Sequence, residues 1–323
     1  MKETKKIVFL TPSLPILRNE MQSLLPTGFT IEFADVNEKE CHRKLLKDAD
    51  YVFLGASYLD AELIQGATKL KMIQKWGIGV DKIDVQAANA RNIPVAITNG
   101  SNAAQVAEQA ILLMLATLRR LSYAQKSFMA GKWPNTELRT SCLQLTGKTV
   151  GLFGFGNIAR QVAKQLQGFD TKIIYFSRKR ASQEIEQTYK AEYVDFDTLL
   201  RQSDVLSLHA PFNEQTRDII SNQALQKMKQ SAIIVNTARG ELIDEPALVQ
   251  AIHEQRLFGA GLDVFVNEPP QMDNPLFSLD NVVVTPHAGA SVKEAVSKIV
   301  QHGFNNIALF ERGEPLDPAD LVK

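Results

Sequence analysis

The sequence predicts an α/β protein of two domains, a doubly wound parallel sheet inserted into a smaller α/β domain, and three observations predict it. Short β-rich runs alternate with helical patterns twice along the chain. The second series holds seven strand candidates, enough for a complete doubly wound sheet. At 323 residues the chain is too long for one ordinary core and suits two, each burying its own apolar interior. Two domains in turn imply a cleft.

The first series reads KIVFL, a helix over 13–24, FTIEF, a helix over 38–46, DYVFL and KMIQKW. Parallel strands with crossover helices give this alternation. After Asn99 comes NAAQVAEQAILLMLATLRRL, a helix with more apolar residues than one stripe requires, so much of its circumference should be buried. The second series runs KTVGLFGFG, TKIIYFS, AEYVDF, DVLSLHA, SAIIVNTA, GAGLDVF and NVVVTP. A last helix over 291–310 stops near Arg312 and Gly313, a basic residue followed by a glycine stop, and should return to the first domain. The boundaries that follow are 1–101 plus 291–323 for a discontinuous smaller domain and 102–290 for the inserted one. Hinges fall near 99–103 and 288–292.

The composition is that of a globular protein, 45% apolar and 22% charged, with 36 basic residues balanced by 36 acidic ones. A neutral total weakens any polyanion-binding reading, so nucleic acid is not expected as a partner. Cys41 and Cys142 are the only cysteines, too few for a disulfide framework or a cysteine metal site. No stretch approaches the ~20 apolar residues that cross a bilayer, and the run after the N-terminal lysines is broken by Pro12, so no membrane partner and a cytoplasmic location are expected. His42, His253 and His302 lie in helical segments without companion ligands at metal spacing. They read as solvated or capping residues, and no metal is implied.

The apolar run Val150, Gly151, Leu152, Phe153 leads into Gly154, Phe155, Gly156, Asn157, Ile158, Ala159 and then the helical RQVAKQLQGF. This is G-x-G-x-x-A between a strand and a helix, the setting in which it binds a dinucleotide. Gly154 permits the tight turn, Gly156 lets a pyrophosphate approach the backbone, and small Ala159 lets helix and strand pack closely. The helix start supplies N–H groups to phosphate oxygens. The inserted domain is therefore read as a Rossmann dinucleotide-binding domain. Its next strand, TKIIYFSRKR, ends on Ser177 where an NAD-specific site places an acid. With no carboxylate to repel a 2′-phosphate, and with Arg178, Lys179 and Arg180 following, NADP(H) is favoured and NAD(H) is the alternative.

Three later strands end at the carboxyl edge, where open α/β sheets bind ligands, and each carries ionisable candidates. IIVNTARGELIDEPAL presents Arg239, GAGLDVFVNEPP presents Asp263 and Glu268, and NVVVTPHAGAS presents His287. Hydride transfer to a 2-keto acid needs a cation for the carboxylate, a proton donor for the developing alkoxide, and a group that orients that donor. Arg239 can grip the carboxylate and polarise the C2 carbonyl. A helix beginning just after it would strengthen an anion site. His287 can give or take the proton, with Glu268 holding the imidazole. Around these, His209, Ala210, Pro211 and Thr216 in LHAPFNEQT, Thr237 and Ala238 before Arg239, and Gly289 after His287 are candidates to line the cofactor. For His209 a backbone or cofactor contact is favoured over proton transfer.

The order GFGNIA, LHAPFNEQT, NTARGELID, LDVFVNEP and TPHAGAS resembles the D-isomer-specific 2-hydroxyacid dehydrogenase family over nearly the whole chain. The resemblance implies that Arg239, Glu268 and His287 are the catalytic trio and that Asp263 holds the nicotinamide carboxamide. It implies a smaller flavodoxin-like substrate domain, in which KWGIGVDKID offers backbone N–H groups near Gly77, Ile78 and Gly79 to the substrate carboxylate. Glycines there admit close amide approach by an anion. The family's usual VAEH is here Val106, Ala107, Glu108, Gln109, a departure read as affecting the hinge or the interface.

The expected function is an oxidoreductase moving a hydride between a nicotinamide cofactor and C2 of a small D-2-hydroxy or 2-keto acid. A glyoxylate/hydroxypyruvate reductase-like activity is favoured, with D-3-phosphoglycerate dehydrogenase as the alternative; the chain's stop soon after the last helix lowers the latter. Formate oxidation is disfavoured, because the resembling formate enzymes carry glutamine where Glu268 stands. A reading of another class is a nucleotide-sensing co-repressor-like binding protein, since fold alone does not settle function. The apolar helix over 103–118, with Phe128 and Trp133 beyond it, resembles the family's dimer arm and predicts a homodimer through the dinucleotide-binding domain. Substrate selectivity is expected near Leu54 to Ser57.

Overall fold

A computed structural model describes residues 4–322. The chain divides into two compact units, Met1–Asn102 with Ser291–Lys323, and Ala103–Ala290.

In the first unit, strands β1 (Lys5–Phe9), β2 (Phe29–Phe33), β3 (Tyr51–Leu54), β4 (Met72–Lys75) and β5 (Val95–Ala96) form one parallel sheet in the order β2-β1-β3-β4-β5. This is the flavodoxin-like order. The central strand β3 is buried along its length, which is why YVFL reads as a continuous apolar run rather than an alternating one. The predicted helices are present as Pro15–Ser23 and Lys39–Leu46, and two short ones, Ala61–Gly66 and Val85–Ala90, complete the crossovers. The final helix, Lys293–Glu311, packs on this sheet through Val300, Phe304 and Ile307 against Ile7, Tyr51, Phe53 and Met72. Gly303 is the point of closest approach, since a Cβ there would lie 2.5 Å from the Phe53 ring.

The chain's end is tied to the same unit. Val322 N–H donates to the Val95 carbonyl, and Ile97 N–H donates to that of Asp320. The Asp320 carboxylate, 5% exposed, accepts from Asn99 N–H, from His302 Nε2 at 2.6 Å and from Asn306 Nδ2. The other ring nitrogen of His302 pairs with Ser101 Oγ at 2.6 Å. His302 is therefore a bridging residue rather than a solvated one. His42 departs further from that expectation: it is 3% exposed, with its pKa lowered by burial, and only His253 lies on the surface.

In the second unit, β6 (Thr149–Phe153), β7 (Lys172–Phe176), β8 (Ala191–Tyr193), β9 (Val205–Leu208), β10 (Ile233–Asn236), β11 (Gly259–Leu262) and β12 (Val282–Val284) form a parallel sheet in the order β12-β11-β10-β9-β6-β7-β8. The order reverses between β6 and β9, and ligands of such sheets bind at that switch point. The long helix Ala103–Leu118 is buried on most of its surface, as its composition predicts. It lies so close to β11 that a Cβ on Gly261 would sit 2.9 Å from Leu113. Among the described residues no helix is long and apolar enough to cross a membrane.

Candidate active site

The β6 turn is built for close approach. Gly154 adopts φ +94°, and a Cβ there would meet the His209–Ala210 backbone at 2.8 Å, so both conformation and space require glycine. Gly156 caps the helix Asn157–Leu166, and the position of its missing Cβ is open. Ala159 beneath is fully buried. Thr237 Oγ1, at the end of β10, is buried without a hydrogen-bond partner. An open cradle at a helix start and an unsatisfied hydroxyl at the end of β10, two strands from β6, fit a dinucleotide.

Other cofactor candidates are placed as follows. Ser177 Oγ donates to the Lys179 carbonyl at 2.6 Å, with Arg178 and Lys179 exposed beside it. Arg180 is held elsewhere, pairing with both carboxylate oxygens of Glu186 at 2.8 Å, so it drops out of the set expected to meet a 2′-phosphate. Arg180 and the Tyr175 hydroxyl hold the Glu186 carboxyl down at about 2. His209 pairs with Ser207 Oγ through Nε2, and burial holds its imidazole well below the usual histidine range. The Thr216 hydroxyl is occupied within its own loop, donating to the Pro211 carbonyl and accepting from Asn213 N–H. Ala210 and Pro211 line that same loop.

The loops carrying the ionisable candidates are locked together from below. Asn236, 1% exposed at the end of β10, accepts from Ala238 N–H and donates to the Arg239 carbonyl, shaping the turn that presents Arg239. Gly240 lets this turn touch the next loop, since a Cβ there would lie 2.1 Å from the Phe265 carbonyl carbon. After Arg239 comes only the short 3-10 turn Gly240–Leu242; the helix begins at Glu245, capped by Asp244. The helix dipole expected at Arg239 is therefore absent from that point, and the guanidinium itself is the cationic element.

Glu268 and His287 meet directly, Glu268 Oε2 lying 2.8 Å from His287 Nδ1. The other oxygen of Glu268 accepts from Phe265 N–H. His287 has φ +51°, a left-handed conformation that a non-glycine residue adopts only when held there. Its N–H donates to the Asp263 carbonyl at 2.8 Å. The Asp263 side chain, 1% exposed, accepts from Thr285 Oγ1, Ala288 N–H and Gly289 N–H. Asp263 thus organises the loop that carries the imidazole. Gln109, at the departure from VAEH, donates to Thr285 Oγ1 at 2.9 Å. Asn236 and Thr285 were not singled out by motif, because a lone amide or hydroxyl carries no spacing signal, and Gln109 was noted only as a departure from VAEH.

In the first unit the loop after β4 has Gly77 at φ +87°. Its N–H donates to buried Thr98 Oγ1 at 2.8 Å, which removes Gly77 from the expected carboxylate donors. Ile78 and Gly79 follow on the outside of the turn.

Known proteins resemble this chain over most of its length. The family described as "D-isomer specific 2-hydroxyacid dehydrogenase, NAD binding domain" matches residues 111–289. The chain belongs to that family. As a D-2-hydroxyacid dehydrogenase it is 44% identical to a hydroxypyruvate reductase of Thermotoga maritima, over 81% of this chain and 85% of that one. It is 41% identical to a glyoxylate reductase of Thermococcus litoralis, over 84% and 82% respectively. Among solved structures, a glyoxylate reductase from Paecilomyes thermophila superposes with a TM-score of 0.86 at 32% identity, covering 100% of this chain and 99% of that one. The dehydrogenase uses a nicotinamide cofactor and moves a hydride at C2 of a small hydroxy or keto acid.

Proposed function

We infer that this dehydrogenase reduces a small 2-keto acid of the glyoxylate or hydroxypyruvate type, with Arg239, His287 and Glu268 as its working groups. The observation that carries this reading is the 2.8 Å contact between His287 Nδ1 and Glu268, which fixes the imidazole and leaves Nε2 to face a reactant. The bound nicotinamide supplies the hydride. His287 Nε2 gives its proton to the C2 oxygen as negative charge develops there, and Glu268 stabilises the imidazole throughout. Arg239 pairs with the carboxylate and polarises the carbonyl. The amides of Ile78 and Gly79 are the further carboxylate donors in this reading. The first unit is the substrate domain and Ala103–Ala290 the dinucleotide domain.

The cofactor is NADP(H) in preference to NAD(H), because the strand that meets the adenosine ribose ends on Ser177 rather than an acid, with Arg178 and Lys179 exposed beside it. Phe155, Asn157 and Ile158 contribute the backbone around the pyrophosphate, and Thr237, Ala238, His209 and Gly289 line the remainder. The protein works as a homodimer through exposed Leu121, Phe128, Met129 and Trp133, which would otherwise leave large apolar groups in water. Two free cysteines fit a reducing cytoplasm.

The test is a panel of glyoxylate, hydroxypyruvate and 3-phosphohydroxypyruvate, each assayed with NADPH and NADH. Turnover of the first two that disappears in Arg239→Ala supports the reading. Selective turnover of the phosphorylated acid replaces the substrate assignment, and a preference for NADH replaces the cofactor assignment.

A further inference from the structure

We propose that Gln109 is a positioning residue for the reaction: its side-chain amide orients the Thr285 hydroxyl toward Asp263, and through that carboxylate it holds the loop that carries His287. The inference rests on His287 being the proton donor.

A threonine hydroxyl has one hydrogen to give and lone pairs to receive. That of Thr285 gives its hydrogen to Asp263 Oδ1 and receives one from Gln109 Nε2 at 2.9 Å. The incoming donor occupies the Thr285 lone pair and leaves its hydrogen directed at the carboxylate, and a chain of such bonds polarises each member. Asp263 is 1% exposed, so its charge depends on protein donors. It has three: Thr285 Oγ1, Ala288 N–H and Gly289 N–H. Two of them belong to the residues immediately after His287.

His287 itself sits at φ +51° with its N–H on the Asp263 carbonyl, so the backbone of Asp263 and its side chain together hold a conformation the histidine would otherwise leave. The end of this chain of contacts is firm, because Gln109 stands on the buried helix Ala103–Leu118 between fully buried Ala107, Ala110 and Leu113. What the position requires is a donor. A carboxylate there would set an acceptor against the Thr285 oxygen and turn the hydroxyl away from Asp263.

The experiment compares Gln109→Glu, which keeps the size and removes the donor, with Gln109→Met, which removes both polar atoms, and Gln109→His, whose ring N–H can donate. Two readouts are taken on the whole 323-residue chain: kcat and KM for keto acid and cofactor, and amide hydrogen exchange over 287–289. We expect the Glu and Met variants to lose about tenfold in kcat with both KM values within about twofold, as a displaced catalytic group produces. Exchange over 287–289 should quicken in both, and the His variant should recover most of the lost kcat. Unchanged kcat in both Glu and Met variants, or a lowered melting temperature with unchanged kcat and unchanged exchange, would overturn the proposal. If the wild-type protein reduces no keto acid, the functional reading fails, while the exchange readout still decides whether Gln109 holds the loop.

Discussion

His287 is constrained twice, by Glu268 on its ring and by Asp263 on its backbone. Glu268→Gln keeps a polar partner of the same size and removes the charge, so kcat should fall by about 10- to 100-fold with little change in KM for the keto acid, measured by steady-state kinetics. Gly240→Ala makes a different kind of demand. Its new Cβ would overlap the Phe265 carbonyl carbon 2.1 Å away, and backbone cannot yield as a flexible side chain can. We expect a loss of about 2 kcal/mol or more in urea unfolding, with activity lost together with the displaced 265–268 loop. His209 reports through pH. Although its edge reaches solvent, burial holds the folded-state pKa below the ordinary value of 6.5. In the folded state it resists protonation, so its contribution is fully present above that value and is lost as pH falls below it. Urea midpoints measured down a pH series should decline less steeply in His209→Gln than in wild type.

At the scale of elements, the proposed preference for NADP(H) rests on how β7 and the following helix divide the labour of three basic residues. Arg180 is tied bidentately to Glu186 on the helix Gln183–Tyr189, whereas Arg178 and Lys179 are exposed. Arg178→Ala should therefore raise KM for NADPH by about tenfold with KM for NADH nearly unchanged, and Arg180→Ala should move that ratio much less. The strands themselves were legible because buried parallel strands are written as apolar runs, as in VFL of β3 and IIV of β10. The glycine turn was legible because its spacing, strand and helix occur together. The roles of the residues that shape the loops were not, since Thr285 and Gln109 act through contacts distant in sequence and Asn236 through a turn that no motif marks. A run such as RKR gives no sign that its last member is held by Glu186. Gly77 likewise reads as an anion loop until Thr98, 21 residues on, takes its amide. The short strand β5 and the two short helices of the first unit fell below what periodicity resolves.

For the whole molecule, stability depends on the chain's end as well as on the two sheets. Asp320→Ala would leave His302, Asn306 and the Asn99 amide without their common acceptor. Removing one member of so buried a polar network should lower stability by about 3 kcal/mol, read as a shift in the thermal or urea transition. A dimer is expected of the wild-type chain in light scattering, and Trp133→Asp together with Phe128→Asp should convert it to a monomer. In the proposed mechanism one imidazole, held by Glu268, delivers the proton to a 2-keto acid. This step is tested most directly by the single-turnover rate of glyoxylate reduction with saturating NADPH in wild type and in His287→Gln. A fall of about 100-fold or more is expected, with cofactor affinity unchanged. A variant that turns over at the wild-type rate would contradict it.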